Sequence, residues 1–446
     1  MNSRKVGSKK ELLRNVLILY GVRGCTYLLP LVTFPYLARV LRPEGLGAVI
    51  FSQTIGGIIA IGVEYGFDFS ATRETARLSS DKKSLRDLIS GVLAAKLLLA
   101  LVGIMGAVFF RPYILRVAPS DALFWASTLW GVAQGINMLW YFQGQQRMNW
   151  AGGLDIGGKI VATLSIFVFV HQPADGWKVM AAQAAGCSVS HAITIGIAYR
   201  EVGLRWPSAR LTWQALRLGW SMFLFRAAQY LTTANAVILG VFATSTAVGL
   251  FAGAEKFRQV AAQGLWPINQ ALFPHQSQLV NENRTKALRM VRKSLALLGV
   301  LSSIFGLSLI FGAPVIVRLV LGAAFMPAVP VLRVLGVLAP LQALCDVISF
   351  QWMLPLRLDR QFNLVILTSG IGAVAMGVLL APLMGALGVA IAVTIAQMYA
   401  LIAILIVLRR RGLSPFQFRR KIRRPWKLRT LKPSWNAIKR ALAFTA

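Results

Sequence analysis

Long apolar runs separated by short polar segments recur along the whole chain. Most runs reach about 20 residues, the length at which an α-helix crosses the hydrocarbon core of a membrane. The runs are continuous rather than alternating, which favours helices over a transmembrane barrel. The pattern predicts an all-α integral membrane protein with about twelve spans. They cover residues 14–41, 45–66, 88–110, 121–143, 152–171, 177–199, 217–242, 247–273, 294–313, 328–355, 361–381 and 385–408.

The composition agrees with this prediction, because 56% of the 446 residues are hydrophobic and only 14% are charged. Lys and Arg number 48 against 15 acidic residues, which gives a formal charge of +33. Such an excess is also found in nucleic-acid-binding proteins, but no loop here is long enough to fold into a soluble binding surface. The basic residues instead concentrate in alternate loops. By the positive-inside rule, this distribution places both termini in the cytoplasm.

The two halves of the chain share a sequence pattern at a spacing of roughly 200 residues, which indicates an internal repeat. The matched pairs include Arg23 with Arg226, Tyr27 with Tyr230 and Gly47 with Gly249. Each copy contains six predicted spans, an even number, so both copies enter the membrane in the same direction. We therefore expect two lobes related by a parallel pseudo-two-fold axis along the membrane normal. They are an N-lobe at 1–205 and a C-lobe at 206–408, followed by a basic cytoplasmic tail at 409–446.

Arg23 and Arg226 lie near the middle of their apolar runs. A guanidinium at that depth costs roughly 3 kcal/mol or more unless it faces protein or water. Its occurrence in both copies therefore indicates a cationic cavity shared by the two halves. The alternative is that these arginines form structural ion pairs with Glu64, Asp68 or Glu255, as buried charges generally need partners.

The eighth predicted span carries Glu255, Lys256 and Arg258 within one turn of helix. Gln53 stands at the position of the first copy that matches Glu255, so an acid and an amide replace each other between the halves. An embedded carboxylate near basic groups could bind the proton or cation that drives transport. It could equally neutralise Arg258, and the sequence leaves both roles open.

Other polar residues within the spans have simpler interpretations. Asp155 and Lys159 are four residues apart on one helix and are expected to neutralise each other. Lys96 is near enough to a span end for its long side chain to reach the headgroups. Trp140 and Tyr141 are typical of the aromatic belt at a bilayer interface.

Several short segments carry a family resemblance, strongest over residues 15–90. They read LPL at 29–31, PYLARVL at 35–41, PEGLG at 43–47 and EYGFDFSATRE at 64–74, with WYFQG at 140–144 as a further match. On these segments the chain resembles the polysaccharide biosynthesis flippases of the Wzx type. That family belongs to a superfamily that also includes multidrug extruders (MATE) and lipid II flippases.

The resemblance implies a MATE-like fold and a flippase in the bacterial inner membrane. Its substrate would be an undecaprenyl-pyrophosphate-linked oligosaccharide, moved from the cytoplasmic to the periplasmic leaflet for O-antigen, capsule or exopolysaccharide synthesis. Transport would proceed by alternating access, coupled to protons or sodium ions. Besides membrane lipids, partners would include a polysaccharide polymerase and glycosyltransferases, with no nucleic acid and no cofactor.

Arginine suits a lipid pyrophosphate because its planar fork binds phosphate bidentately and stays charged when partly dehydrated. The predicted pyrophosphate and sugar site comprises Arg23, Arg226, Lys256, Arg258, Tyr27, Tyr230 and Gln53. The predicted ion-coupling residues are Glu255, Glu64 and Asp68. No metal site is expected.

Other classes of function fit less well. The sequence contains no P-loop, no HExxH and no GxSxG motif, and its three histidines are scattered, so an enzyme is not expected. A proton- or sodium-coupled drug extruder of the same superfamily is one alternative, although an extruder of cations should line its cavity with acids. A lipid II flippase is the other, and its resemblance would imply two additional spans.

Overall fold

The computed structural model describes residues 9–79, 81–231 and 235–416. The side chains of residues 9–28, of 149 and 150, and of several positions between 221 and 274 lie outside this description, and so does most of the predicted tail. The described backbone is helical and contains no strand. The prediction of an all-α membrane protein is confirmed.

The α-helices account for most of the described chain. They are α1 (Lys9–Glu64), α2 (Phe67–Arg77), α3 (Lys82–Val117), α4 (Asp121–Gly135), α5 (Leu139–Gly144), α6 (Met148–Phe169), α7 (Gly176–Val202), α8 (Ala209–Leu231), α9 (Asn235–Phe242), α10 (Ser245–Glu282), α11 (Arg284–Ile316), α12 (Val329–Ile348) and α13 (Asp359–Arg410). Each of the twelve predicted spans coincides with helix over most of its length. The fourth span is interrupted at residues 136–138, between α4 and α5.

Two of the helices are long enough to contain two spans each. Helix α1 breaks at Arg42, which has φ 58° and ψ 175°, because the following Pro43 disfavours helical geometry in the residue before it. Helix α13 breaks at Gly385, with φ 55° and ψ −131°, where glycine meets little steric resistance. These breaks divide helices that would otherwise be too long for one crossing.

Six stretches of the described residues are long and apolar enough to cross a membrane by length and composition. They are Leu29–Arg77, Lys82–Val117, Ala151–Phe169, Arg284–Leu321, Ala323–Met353 and Asp359–Arg410. The first of these contains the break at Arg42, and the last contains the break at Gly385. Met1–Ile404 form one compact unit, and every contact described below lies within it.

The second segment of α1 packs closely against the start of α10 through two glycines. A Cβ added to Gly47 would overlap the carbonyl of Ser245 and lie 2.8 Å from the amide nitrogen of Gly249. A Cβ added to Gly249 would overlap the carbonyl of Pro43. The contact is therefore reciprocal between positions that the sequence pattern pairs. A pseudo-two-fold axis between two copies would produce this arrangement, so the contact supports the internal repeat. The boundary between the lobes at residue 205 stays a prediction.

The break in the fourth span corrects the prediction for Lys96. Its side chain is fully buried, and Nζ donates hydrogen bonds to the carbonyls of Gly135 (2.9 Å) and Asn137 (2.8 Å). A helix end leaves carbonyl groups without partners, and the ammonium satisfies two of them. Lys96 therefore binds the interrupted helix rather than extending to the headgroups.

The aromatic residues that follow this break are also buried rather than interfacial. Trp140 is fully buried and Tyr141 is 2% exposed, in a cluster with Phe67 and Met138. The hydroxyl of Tyr141 donates a hydrogen bond to Glu201 at 2.9 Å. The prediction of a membrane-interface position was wrong, because the short helix α5 packs against α2 and so faces protein on this side.

Candidate functional site

The structure contains a large cavity among the helices of the first 404 residues. Its volume is about 1260 Å³, above the roughly 300–1000 Å³ of a typical small-molecule pocket. Helices α1, α2, α4, α5, α6, α7, α8, α9, α10, α12 and α13 contribute to its wall.

Seven charged side chains line the cavity within the described part of the chain. They are Glu64, Asp68, Lys159, Arg226, Glu255, Lys256 and Arg258. Six of these were predicted as site residues, and Gln53, also predicted, lines the same cavity. The charges come from five helices, so the folded structure brings together residues that are far apart in the sequence.

Arg226 on α8 lies between two carboxylates. Its Nη2 is 3.2 Å from Glu64 Oε2, and its Nη1 is 3.3 Å from Asp68 Oδ2. Tyr65 and Gly66 have φ values of 49° and 74° and make the turn that ends α1 and begins α2. This turn places the last residue of α1 and the first turn of α2 beside the same guanidinium. Of the two interpretations left open by the sequence, the ion pair is the one observed for Arg226.

The remaining members of the predicted arginine motif cannot be placed. The side chains of Arg23, Tyr27 and Tyr230 lie outside the described residues. The expected meeting of Arg23 with Arg226 across the cavity therefore stays a prediction.

Arg258 forms a bidentate ion pair with Glu255 on the same helix. The distances are 2.7 Å from Nε to Oε2 and 2.5 Å from Nη2 to Oε1. Its Nη1 also donates to Gln342 Oε1 on α12 at 3.0 Å. A parallel pair of charge-assisted hydrogen bonds is strong and fixes the guanidinium in position. Glu255 therefore neutralises Arg258 in this structure, which is one of the two roles that the sequence left open.

Lys159 belongs to the cavity wall although the sequence did not assign it there. Its Nζ lies 2.7 Å from Asp155 Oδ2, one turn earlier on α6, so the predicted neutralising pair is confirmed. The position of Lys159 near the middle of a span was the signal that could have indicated a cavity.

Lys256 differs from the other three cations of the wall. Its Nζ lies 5.7 Å from the centroid of the Phe34 ring, within the range of a cation–π contact. Among the side chains that the structure describes, it has no carboxylate within ion-pair distance. Within the described part of the wall, Lys256 is thus the cation that forms no ion pair.

Neutral amides line much of the remaining wall. Gln53 Nε2 donates to Gln183 Oε1 at 3.1 Å, which links α1 to α7. Gln134 Oε1 lies 3.2 Å from Cys187 Sγ. The amide side chains of the wall include Gln53, Gln134, Asn137, Gln183, Gln259, Gln342 and Gln397. Of these glutamines the sequence analysis assigned only Gln53 to the site, because a neutral side chain within a span stands out less than a charge.

Comparison with known proteins identifies relatives over most of the chain. The polysaccharide biosynthesis protein family matches residues 12–280. A protein of Escherichia coli (strain K12), described as a candidate O-antigen transporter, is 29% identical over 368 residues, which are 82% of this chain and 88% of the relative. One of Shigella dysenteriae with the same description is 27% identical over 363 residues, 76% of this chain and 85% of the relative.

The fold of this chain is similar to that of several solved structures. The lipid II flippase MurJ in an inward closed conformation has a TM-score of 0.64 at 12% identity and covers 87% of each chain. An inward-facing multidrug resistance MATE family transporter has a TM-score of 0.63 at 18% identity, over 86% of this chain and 94% of its own. The predicted MATE-like fold is confirmed. The chain belongs to the polysaccharide biosynthesis protein family, as the Wzx-type segments of its sequence predict, and it is a multi-pass membrane protein.

Proposed function

We propose that this protein is a flippase for an undecaprenyl-pyrophosphate-linked oligosaccharide in surface polysaccharide synthesis. The family, and the O-antigen transport named for two of its relatives, support this substrate class. The observation that carries the proposal is Lys256, a cation without a carboxylate partner among the described side chains, in a cavity large enough for a sugar chain. A diphosphate is a compact anion that such a cation would bind.

The proposed topology follows from the distribution of basic residues. Both termini lie in the cytoplasm, and the protein crosses the bacterial inner membrane twelve times. With this orientation the contact between Gly47 and Gly249 is near the periplasmic ends of the second and eighth spans. Arg226, Glu64 and Asp68 are in the cytoplasmic half of the membrane.

Alternating access between an N-lobe at 1–205 and a C-lobe at 206–408 would then move the substrate. Arg226 belongs to the C-lobe, whereas Glu64 and Asp68 belong to the N-lobe, so their ion pairs join the lobes. A proton or cation bound by these carboxylates would weaken the pairs, and this gives a route for ion coupling. The freed guanidinium would join Lys256, Arg258 and Arg23 around the pyrophosphate.

Release to the outer leaflet would require the periplasmic contact of the two glycines to open. At this stage, as on entry, the polyprenyl chain would stay in the bilayer while the hydrated sugars occupy the cavity. A docked glycosyltransferase would supply the glycolipid at the cytoplasmic face, and a docked polymerase would remove it at the periplasmic face.

The test is the leaflet distribution of the glycolipid in cells depleted of this protein and lacking any other flippase. Depletion should leave the glycolipid on the cytoplasmic face, and wild-type protein should restore transfer. Lys256→Met should fail to restore it, whereas Lys256→Arg, which keeps the charge, should restore much of it. Membrane levels of all variants are compared by immunoblot.

Arrival of the glycolipid in the periplasmic leaflet without the protein would contradict the proposed function and favour the drug extruder. Full transfer with Lys256→Met would leave the flippase assignment in place but contradict the role of Lys256.

A further inference from the structure

The balance of charge in the cavity wall limits what kind of sugar chain it can accept. We propose that the glycan carried by the substrate is electrically neutral, and that hydroxyl and acetamido groups on it bind the carboxamides of the wall. This inference rests on the proposed function and specifies the substrate of the same cavity.

The cations that an acidic sugar would need are already occupied. Within the described wall, Arg226, Arg258 and Lys159 each lie within 3.3 Å of a carboxylate oxygen. Lys256 is the remaining cation, and both phosphates of a diphosphate diester are ionised at neutral pH. In the proposed cycle the diphosphate takes up Lys256, Arg258, the freed Arg226 and any contribution from Arg23. Lys159 stays paired with Asp155, so no cation of the described wall is left for an acidic sugar.

The carboxylates of the wall act against an acidic glycan. Glu64 and Asp68 hold Arg226, and Glu255 holds Arg258, so a uronate carboxylate could pair with either guanidinium only by displacing a carboxylate of the wall. Like charges brought together in a partly dehydrated site disfavour the wrong ligand strongly. A neutral sugar meets no such penalty.

The amides supply the complementary groups for a neutral sugar. A carboxamide presents two N–H donors and an oxygen acceptor, so it can bind a hydroxyl or an acetamido group in either direction. In the pair at 3.1 Å, Gln53 uses one of its N–H groups and Gln183 uses its oxygen. Gln53 thus keeps an acceptor and Gln183 keeps its donors. Trp130 also lines the cavity, and its ring can lie against the C–H face of a sugar.

The test compares two undecaprenyl-pyrophosphate-linked trisaccharides of equal length in proteoliposomes containing the purified full-length protein. One trisaccharide is neutral and contains N-acetylhexosamine, and the other carries a uronate in place of one neutral sugar. We expect the neutral glycolipid to be flipped about tenfold faster, since charge complementarity mainly sets specificity. Equal or faster transfer of the uronate glycolipid would overturn the neutral-glycan inference while leaving the flippase function intact. Transfer of neither, by protein shown to be folded by thermal unfolding, would overturn the function itself.

Charge variants at Gln183 test where the glycan lies. Gln183→Lys should raise the ratio of uronate to neutral transfer by about tenfold, and Gln183→Glu should lower this ratio below that of the wild type. Gln214→Lys, on the exposed face of α8 and away from the cavity wall, is the matched control and should leave the ratio unchanged. A ratio that does not respond at Gln183, or that responds equally at Gln214, would contradict the amide-lined glycan site.

Discussion

Gly47 and Gly249 lie against each other through their backbones, each beside the carbonyl of the residue four positions before the other. That carbonyl belongs to Ser245 for Gly47 and to Pro43 for Gly249. Only glycine leaves room for such an approach of two helices, because any Cβ would overlap a carbonyl oxygen that cannot move independently of its helix. The contact joins one segment from each half of the repeat.

We therefore predict that Gly47→Ala destabilises the protein. The helices must separate to admit the methyl group, and overpacking of this kind typically costs about 1–3 kcal/mol. Gly62→Ala on the same helix is the control, because a Cβ there meets no atom within 4 Å. It should be neutral or slightly stabilising, since alanine favours helix over glycine by up to about 1 kcal/mol. Thermal unfolding in detergent measures both, and equal stability of the two variants would contradict the predicted role of the contact.

A second prediction concerns the ion pairs of Arg226. Replacing Arg226 with Gln leaves Glu64 and Asp68 without their cation, and the free energy of unfolding should fall by about 1–3 kcal/mol. Adding Glu64→Gln to this variant should recover part of the loss, because the uncompensated carboxylate is removed. A double-mutant cycle gives the coupling energy. Strictly additive effects of the two substitutions would show that the contact contributes no stability.

Lys96 provides a third prediction. Lys96→Met keeps the length of the side chain but leaves the carbonyls of Gly135 and Asn137 without their buried donor. Loss of a charged hydrogen-bond partner in a buried site is expected to lower the free energy of unfolding by about 3 kcal/mol. Lys178→Met, at a partly exposed ion pair with Asp175, should cost less than about 1 kcal/mol. Similar unfolding midpoints for both variants would rule out the capping role of Lys96.

The fourth prediction concerns pH and a loop outside the spans. Asp175 accepts hydrogen bonds from Lys178 and from the backbone N–H groups of His171 and Gln172, which lower its pKa from 3.8 to about 2. A group whose pKa is lowered by folding stabilises the folded state at pH values above its unfolded-state pKa. This stabilisation is lost as the pH falls through the folded-state pKa. Wild type should therefore be more stable than Asp175→Asn at neutral pH. The difference should disappear between pH 3.8 and about 2, as followed by thermal unfolding across that range.

A difference in stability between wild type and Asp175→Asn that stayed constant down to pH 2 would contradict this assignment. Asn keeps the shape of the side chain and one acceptor oxygen, so the comparison isolates the negative charge. Gln172→Ala, which keeps the backbone N–H, should preserve the pH dependence.

The sequence by itself indicated the helical membrane class of the protein. The length of an apolar run depends on consecutive residues, and a helix must satisfy its own backbone groups in lipid, so run length was enough to predict where the long helices lie. The segments around residues 29–47 and 64–74 were likewise enough to indicate the family. That Arg226, Lys256 and Glu255 lie within spans could also be seen in the sequence, because a charge among apolar neighbours is conspicuous.

Which charges are satisfied by partners distant in the sequence was decided only by the tertiary structure. Arg226 pairs with Glu64 and with Asp68, and the latter is 158 residues away in the sequence. No local pattern specifies such a partner. Lys96 and Trp140 became buried because the break in the fourth span turns neighbouring residues towards protein. The packing of the helices also leaves Lys256 without a carboxylate within ion-pair distance among the described side chains. The cost of a buried charge depends on every group around it, so its role follows from packing between helices rather than from its position along one.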